Sequence, residues 1–447
     1  MGRIIIILVV SFFTSAWLSS QDNRGFAYYD KVTYELYLDS SWEKLVKTGK
    51  EALRQGIDYY YLRMRLGIAS FESEDYSGAQ EHFTKALEFN SADEVAMEYL
   101  YYSLLHYGRD IEAGKIARQS PPALRRKLTG RTGTPVRYFS LNATTGFIND
   151  RDVIDRFDPP GGLLEDGYQS VTRKYRSMVA SLEHEAGNSA TVIHSARYFT
   201  KEYLYYSREG LEDDIAENEK LRQLQYYLSG RVLIGNGLFL VPAIHYISLI
   251  IPTEVIIAGR GGRTFVAEQN TYRHDFASSV GLDKYFKKVR IGVTAGFSSI
   301  NEQRQIQGSF LASWFPLGNL NLYTVSGLTR YSVLPAEDNP GRWVFSQEAG
   351  FRAMPGLWIE LRGKIGNMMN YAAPGAYFIY NDAGVTTGVY GISLIAPFFD
   401  RGIELTLNYS FVNSESKFIY DSAGLHSGNN NVKSGYNQLS GGIKWMF

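Results

Sequence analysis

The sequence contains no cysteine in 447 residues. It therefore predicts neither a disulfide framework nor a lipoprotein anchor, and stability must come from other contacts. Neither sign of charge is in excess, because the sequence has 46 basic and 46 acidic side chains. This balance gives no support for nucleic-acid binding. No nucleophile elbow, zinc-spaced histidine set or phosphate loop is present, so we expect no cofactor and no metal site.

Long hydrophobic runs are also scarce, and mean hydropathy is −0.22. The most apolar internal stretch, residues 237–251, is shorter than the roughly 20 residues that a spanning helix needs, and Pro242 and His245 interrupt it. Near the N-terminus, Arg3 precedes roughly ten apolar residues and then small and polar ones, the pattern of a secretory signal. We interpret residues 1–20 as a signal peptide.

Before residue 135 the apolar residues follow a helical period. Small residues at fixed spacing allow two helices to approach closely, and one phenylalanine fills the gap between them. The residues that carry this pattern are Leu66, Gly67, Ala79, Phe83 and Ala86. The spacing resembles the tetratricopeptide repeat (TPR), a helical hairpin of about 34 residues. The resemblance implies a TPR-like α-helical domain at residues 21–120 that binds a protein partner.

Two features of this region allow two interpretations. Tyrosines at positions 59–61, 99, 101 and 102 suit packing between helices, and a ligand-binding box is the alternative. Residues 121–135 are rich in basic side chains, and we predict a linker there. Its charge fits a solvated face, with lipid binding as the alternative.

After residue 135 apolar and polar residues alternate, and the 33 tyrosines, 25 phenylalanines and 43 glycines suit strands, membrane-interface girdles and tight turns. Roughly six short turns and seven longer polar loops connect about fourteen strands. The longer loops are predicted near residues 147–172, 207–220, 251–272, 300–304, 332–342, 368–386 and 413–435. The acidic side chains of the first two could bind divalent cations that bridge to lipopolysaccharide, or could simply be solvated.

The last strand carries Ile443, Trp445 and Phe447 on one face. It resembles the terminal strand of Gram-negative outer-membrane barrels, which the barrel assembly machinery reads. The fold class we predict is α+β multidomain, with TPR-like hairpins followed by a transmembrane antiparallel β-barrel of about 14 strands at residues 136–447. The resemblance implies an outer-membrane location, with the N-terminal domain in the periplasm and with lipid and the assembly machinery as partners.

Charged residues within the predicted strands must face the lumen, because a charge on the lipid face costs about 2–4 kcal/mol. These residues are Glu348, Arg352, Glu360, Arg362, Lys364, Glu404 and Lys444. They could form a polar plug, line a solute path or make a salt-bridge network that stiffens the wall. Apolar residues at inward positions, such as Phe239, Val241, Ile395 and Pro397, could line a hydrophobic conduit or pack against an inserted loop or a neighbouring barrel.

Function follows from these features only in outline. We expect a non-catalytic protein that acts in transport, export or envelope assembly through a periplasmic protein partner. A lipid-modifying barrel enzyme is one alternative, because His184, His194, His245 and His274 lie in or near strands, with Ser181 and Ser195 nearby. Adjacent strand residues such as His194 and Ser195 point to opposite faces, which argues against that pair. A structural or adhesive surface protein is the other alternative.

Overall fold

The computed structural model describes residues 25–129, 135–149, 167–209, 212–258, 264–335, 341–382, 384–398, 402–420 and 427–447. The predicted signal peptide and the acidic side chains of the first predicted loop lie outside these residues. Of the helices in the described part, none has both the length and the apolar character needed to cross a membrane.

Seven helices form an N-terminal region, residues 25–129, which we call the helical unit. They are α1 (Phe26–Leu38), α2 (Trp42–Arg54), α3 (Tyr60–Glu72), α4 (Tyr76–Phe89), α5 (Glu94–His106), α6 (Asp110–Gln119) and α7 (Pro122–Thr129). Each helix packs on the next, and α3 also contacts α1 and α5. Asp75 and Asp93 cap α4 and α5, accepting hydrogen bonds from Gly78 N at 3.0 Å and Ala96 N at 2.7 Å.

Helix α7 lies inside the segment that the sequence predicts to be a linker, so the prediction for residues 122–129 is wrong. Leu124 and Leu128, one helical turn apart, are buried against Ala117, and Tyr101 donates a hydrogen bond to Leu128 O at 2.9 Å. The basic side chains occupy the other faces of the helix. Two leucines are enough to dock such a short helix on a preformed surface, but they are a weak signal in a basic sequence.

The five residues of the repeat-like pattern are all buried. Gly67 on α3 lies directly against the Phe83 ring on α4, and a Cβ added at position 67 would stand 2.7 Å from Phe83 Cε1. Phe83 in turn stacks on Tyr99 of α5 with ring centroids 5.1 Å apart. A residue without a side chain at position 67 therefore sets the distance between α3 and α4.

Replacement of Gly67 with alanine is expected to destabilise the helical unit. Overpacking costs about 1–3 kcal/mol and exceeds the gain of about 1 kcal/mol from helix propensity. Urea unfolding followed by circular dichroism at 222 nm measures the change. Gly114→Ala in α6 is the matched control, because its new methyl group would meet only the mobile end of Arg118 at 3.3 Å. Equal stability changes in the two variants would contradict the packing argument.

Fourteen long strands close into one antiparallel barrel, as the sequence predicts. They are β1 (Val136–Ile148), β2 (Gly167–Glu185), β3 (Ala190–Glu209), β4 (Glu212–Gly235), β5 (Leu238–Ala258), β6 (Thr264–Tyr285), β7 (Val289–Ile300), β8 (Gln303–Trp314), β9 (Leu322–Val333), β10 (Arg342–Met354), β11 (Leu357–Gly366), β14 (Val385–Phe398), β15 (Ile403–Tyr420) and β16 (Ser427–Met446). The short strands β12 (Tyr371–Ala372) and β13 (Ile379–Tyr380) form a separate hairpin. The last long strand pairs with the first, with Trp445 opposite Phe139, so no strand edge remains open.

The two ends of the barrel differ. At one end, which we call the turn end, strands are joined through residues 186–189, 236–237, 286–288, 315–321 and 355–356, and β1 begins and β16 ends there. Gly237, Gly318 and Gly356 take positive φ angles of 61°, 76° and 80° in these turns, a conformation that favours glycine. The helical unit packs on the turn end. We call the opposite end the loop end.

Several predicted long loops are instead strands or tight turns. Strands β3–β6, β15 and β16 continue into the segments predicted as loops at residues 207–220, 251–272 and 413–435. The segment 300–304 holds a two-residue hairpin turn, with φ angles of 50° at Asn301 and 66° at Glu302. Beyond the apolar band a strand can be polar on both faces and still be paired, so alternation underestimates its length.

The outer wall carries a belt of exposed apolar side chains. They alternate with inward residues along each strand, and Leu405, Leu407 and Tyr409 on β15 are 43%, 49% and 46% exposed. The belt continues around the barrel through Val293, Phe310, Leu328, Phe345, Leu361, Ile392 and Leu439. A soluble surface does not present apolar area on this scale, whereas a bilayer covers it.

Candidate site in the barrel lumen

Residues 367–382, which join β11 to β14 and contain the β12–β13 hairpin, fold into the barrel, and we call them the inner loop. Tyr227 on β4 donates a hydrogen bond to Gly375 O at 3.1 Å, and His245 Nδ1 lies 2.7 Å from Ala376 O. Strands β4 and β5 stand six or seven positions around the ring from β11 and β14 in a barrel of fourteen strands. The inner loop therefore crosses the lumen from one wall to the opposite one.

The root of the inner loop rests on an apolar and aromatic cluster. Tyr331 on β9 is 1% exposed and donates hydrogen bonds to Asn367 O at 2.8 Å and Met369 O at 3.0 Å. Tyr371 packs on Tyr331 with ring centroids 5.2 Å apart, and Val344 and Met368 complete the cluster. The point at which the inner loop enters the lumen is thus held on the near wall.

The end of the inner loop is held by charged and amide groups. Asp382 forms an ion pair with Lys201 on β3 and lies 3.3 Å from the Thr172 hydroxyl. Asn381 donates to Asp275 Oδ2 on β6 at 3.1 Å. The side chain of Lys201 is 9% exposed and that of Asp275 is 1% exposed. Charges buried to this degree are costly unless paired, so these partners favour the inserted position of the loop.

Aromatic side chains at the tip of the inner loop contact a second, half-buried cation. The guanidinium carbon of Arg197 on β3 lies 5.5 Å from the Tyr377 ring centroid and 5.2 Å from that of Phe378. Tyr377 also meets Tyr227 edge to face at 5.0 Å. The tip therefore combines cation–π and aromatic contacts with the wall.

A cavity of about 410 Å³ lies between the inner loop and the turn end. Ten of its twelve lining residues carry a hydroxyl, amide or charged group. Its lining includes Tyr138, Ser140, Asn142, Ser181, Ser195, Tyr227, Tyr377, Glu404, Thr406 and Lys444. Glu404 and Lys444 pair across neighbouring strands at 2.9 Å, and the hydroxyls of Ser181 and Ser195 are 2.8 Å apart. Such a lining suits water or a polar solute.

The seven charged residues predicted to face the lumen alternate with outward residues such as Phe345, Leu361 and Leu405. They lie at different heights and have separate partners. Glu404 pairs with Lys444, and Arg362 donates to Asn408 Oδ1 at 2.9 Å. In the part of the chain that the structure describes, Glu404–Lys444 is the ion pair that joins two members of the set. A single internal salt-bridge network is therefore not formed among the described residues.

Three of the other members, Glu360, Lys364 and Arg352, each contact a residue outside the set. Glu360 accepts a hydrogen bond from the Tyr323 hydroxyl, and Glu348 stands opposite Arg362 in the β10–β11 register. Lys364 donates to the hydroxyl of Tyr380 on the inner loop at 3.3 Å. Arg352 reaches out of the barrel to Glu74 of the helical unit at 3.1 Å. The set therefore includes contacts to both the inner loop and the helical unit.

The contacts to the inner loop made by Arg197, Lys201, Tyr227 and Asp275 were not predicted. The register between β3 and β4 shifts between Tyr203 and Tyr205, and strands β3, β4 and β6 extend past the apolar band, so the alternation is obscured. The charged residues Lys201 and Asp275 are themselves a signal in the sequence. A charge at an inward strand position needs a partner, so each of them indicates a contact inside the lumen.

The apolar inward residues have different surroundings. Phe239 is fully buried in a cluster with Tyr107 of the helical unit and with Tyr285 and Phe315 of the barrel, and Val241 packs against that cluster. Ile395 and Pro397 are half-buried on the inner face of β14. Phe239 thus forms part of the contact with the helical unit and does not line an open conduit.

Polar contacts also join the helical unit to the turn end. Glu112 Oε1 accepts a hydrogen bond from Gly237 N at 2.9 Å, and Asn319 donates to Glu74 O at 2.9 Å. Asp110 forms an ion pair with Arg137 on β1 and lies 3.7 Å from Arg231 on β4. Residues of the α3–α4 connection and of α6 thus engage separate parts of the rim.

The histidines and serines considered for catalysis do not form a nucleophile–base pair. Ser181 and Ser195 face the lumen, whereas His184 and His194 lie on the outer side of the same strands. His245 contacts the inner loop, and His274 contacts Tyr246 on the outer wall. Within the described ranges no serine hydroxyl bonds a histidine ring, and no group of three or more potential metal ligands is found there.

Fold and lumen together define a class. A closed, antiparallel barrel with an even strand number and an apolar outer wall is the architecture of outer-membrane proteins. In this barrel a loop of the chain itself occupies the lumen, and a helical region is attached at one end.

No protein-family model and no curated protein matches the sequence. Among solved structures, the toluene transporter TodX of Pseudomonas putida matches with a TM-score of 0.41 and 9% identity, over 74% of this chain and 92% of that chain. The Ralstonia pickettii toluene transporter TbuX matches with 0.38 and 11%, over 75% and 94%. The translocator domain of the autotransporter NalP from Neisseria meningitidis matches with 0.31 and 10%, over 77% and 99%.

Proposed function

We propose that this protein is a non-catalytic outer-membrane transport protein whose lumen is gated by the inner loop. The helical unit would lie in the periplasm and act as a TPR-like adaptor for a protein partner. The observation that carries the proposal is the inner loop, which crosses the whole lumen and is held at its far side by hydrogen bonds, aromatic contacts and an ion pair.

The inner loop is suited to movement. Its two ends join β11 and β14, which are neighbours in the wall, so the loop can leave the lumen without separating any strand pair. Its contacts at the far wall are exchangeable with water, and the cysteine-free chain provides no covalent link. The polar cavity below it would then connect with the loop end. A gate needs these properties, and a permanent structural filling does not.

The outer wall and the C-terminus support the location. The exposed apolar belt matches the hydrocarbon region of a bilayer. Trp445 stacks on Phe139 at the seam where the barrel closes, and Phe447 N donates to Arg137 O at 3.0 Å. These residues, with Ile443, fit a terminal strand that the barrel assembly machinery inserts. If the barrel is inserted with the C-terminal end of this strand on the periplasmic side, the turn end and the helical unit lie in the periplasm.

Removal of the inner loop tests the gate. We expect wild-type protein in planar bilayers to show low or intermittent conductance, and a variant with residues 370–381 replaced by a short Gly-Ser linker to show a stable conductance several-fold higher. The deletion enlarges the water-filled lumen without touching a wall strand. A loop-deleted barrel that is folded and still silent would refute the transport proposal.

A point variant provides a milder test of the same gate. Lys201→Met removes the partner of Asp382 and should raise the frequency of opening. Lys433→Met is the matched control, because Lys433 is 78% exposed and lies 3.8 Å from Glu415, away from the inner loop. Identical opening frequencies in the two variants would show that the Asp382 contact does not hold the gate closed.

The adaptor proposal rests on the side of the helical unit that does not contact the barrel. Arg65 on α3 lies between the Tyr34 and Tyr61 rings, 5.1 Å and 6.0 Å from their centroids, and both tyrosines are about half exposed or more, at 49% and 63%. Exposed aromatic residues beside an arginine are typical of protein-binding surfaces.

Site-specific crosslinking tests the adaptor. A photoreactive amino acid at position 61 should capture one periplasmic protein, because Tyr61 lies on the aromatic surface. The same amino acid at Lys44, which is exposed on α2, should not capture it. Equal capture at both positions, or none at position 61, would contradict a partner site on α1 and α3.

A further inference from the structure

Two histidine rings meet on the outer wall beside the turn end, separate from the lumen. His184 is near the end of β2 and His194 near the start of β3, on diagonal positions, since His184 is opposite Val192 and His194 opposite Leu182. Their Nε2 atoms are 3.1 Å apart. The ring planes differ by 17° and the centroids are 5.2 Å apart, so the rings meet through their Nε2 edges.

The other nitrogen of each ring already has an oxygen partner. His184 Nδ1 lies 3.0 Å from Glu185 O, and because a carbonyl only accepts, that nitrogen carries the proton and Nε2 carries a lone pair. His194 Nδ1 lies 2.7 Å from the Tyr226 hydroxyl, which can donate or accept. Histidines that bind metals have this arrangement, with the remote nitrogen oriented by an oxygen.

We propose that His184 and His194 form a two-imidazole site for a divalent transition-metal ion, with Cu²⁺ bound most tightly. Imidazole nitrogens bind such ions at about 2.0–2.1 Å, so nitrogens 3.1 Å apart meet one ion at an angle of about 100° once each ring has turned by about 40° from the line that joins the two nitrogens. Imidazole ligands suit Cu²⁺, which heads the affinity order of the common divalent ions.

The metal-free and the metal-bound site contain the same number of protons. Without metal, His194 Nε2–H donates to the His184 lone pair, and the Tyr226 hydroxyl donates to His194 Nδ1. With metal, that proton resides on His194 Nδ1 and is donated to the Tyr226 oxygen, so both Nε2 lone pairs face the ion. No proton is gained or lost, and water occupies the remaining coordination positions. The metal-free site is an ordinary histidine–histidine hydrogen bond. Metal binding requires that His194 change from the tautomer protonated at Nε2 to the one protonated at Nδ1.

Copper titration of the full-length protein tests the site. Protein without a histidine tag is treated with a chelator in detergent and titrated with CuCl₂, using calorimetry and electron paramagnetic resonance. We expect one ion per chain, with superhyperfine coupling from two nitrogens. His184→Ala and His194→Ala should each weaken binding about tenfold or more, and Tyr226→Phe by about tenfold through loss of the orienting oxygen.

His274→Ala is the matched control. Its Nδ1 lies 2.8 Å from the Tyr246 hydroxyl, and the rings are again near parallel, yet the ring is paired with tyrosine and not with a second histidine. This variant should bind copper as the wild type does. The shift in gel mobility between unboiled and boiled samples reports that each barrel is folded.

Three results would overturn the proposal. The first is a copper affinity in folded His184→Ala and His194→Ala protein that equals that of the wild type or of His274→Ala. The second applies if the alanine variants do not fold: wild-type affinity in both His194→Gln and Tyr226→Phe would then exclude the site. The third is unchanged coupling from two nitrogens in any single-histidine variant.

Discussion

Replacement of Tyr107 with alanine is expected to detach the helical unit from the turn end of the barrel. Tyr107 is 1% exposed and its ring lies 5.4 Å from Phe315 and 6.2 Å from Tyr285, centroid to centroid. Its hydroxyl donates to Lys287 O at 2.6 Å. Truncation of a fully buried aromatic side chain costs about 3–5 kcal/mol, and here it also leaves the Lys287 carbonyl without this donor.

Burial raises the pKa of Tyr107 to about 12, so the hydroxyl remains a donor throughout the physiological range. Hydrogen exchange of the amides in α4–α6, measured on the whole protein, should increase by a factor of a hundred or more in Tyr107→Ala, on the order of the fold-change that a loss of about 3 kcal/mol implies. The barrel amides should not change.

Tyr61→Ala is the matched control for this variant. It removes the same side chain from the same unit at a position that is 63% exposed, where surface substitutions change stability by about 0.5 kcal/mol or less. If Tyr107→Ala leaves exchange in α4–α6 at the level of Tyr61→Ala, the helical unit does not depend on this contact for its position.

Acidification from pH 7 to pH 4 is expected to destabilise the helical unit by up to about 3 kcal/mol through His82. Burial, together with the neighbouring Arg63, lowers the pKa of His82 to about 4, and Arg63 Nη1 is 3.1 Å from His82 Nδ1. The side chain is 7% exposed. In the unfolded chain histidine titrates near pH 6.5.

The sign follows from the two protonation states. Between pH 6.5 and pH 4 the unfolded chain binds a proton at His82 that the folded unit does not bind, so the free energy of unfolding falls as pH falls through this window. Above pH 6.5 both states are neutral at this residue and its contribution is constant. Below pH 4 the loss is complete.

Urea unfolding of the helical signal at 222 nm, carried out at pH 7, 5.5 and 4, measures the effect. His82→Gln should remove most of the dependence, because glutamine keeps a polar group beside Arg63 and does not titrate. The wild type and His82→Gln should therefore differ in slope and not merely in overall stability. Parallel pH profiles for the two proteins would exclude His82 as the titrating group.

Much of the fold could be predicted because its main constraint acts strand by strand. The free-energy cost of exposing a polar side chain to lipid arises at each position independently. For this reason the outward positions of β15 hold Ile403, Leu405 and Leu407, and the inward positions hold Glu404 and Thr406. The confirmed strand number follows from counting such segments. The small residue at position 67 and the ring at 83 are likewise a local pair, only one hairpin apart.

The errors arise where that constraint ends. Beyond the apolar band nothing forces alternation, so the sequence predicts loops where the structure has the extensions of strands β3–β6. In α7 the prediction failed because a short basic segment became a helix by docking Leu124 and Leu128 on Ala117, a surface that the segment itself does not encode.

The sequence by itself determined that the chain has a helical N-terminal region and a β-barrel of fourteen strands, and which strand faces meet lipid, because these properties follow from local periodicity and local solvation cost. Only the tertiary structure decided what occupies the lumen. Lys201 and Asp382 are 181 residues apart, and Tyr227 meets Gly375 across 148 residues. An inward charge such as Lys201 predicts that a partner exists, but the lumen wall tolerates polar residues at almost any position, so the pattern does not identify that partner. The pairing depends on the closure of the barrel.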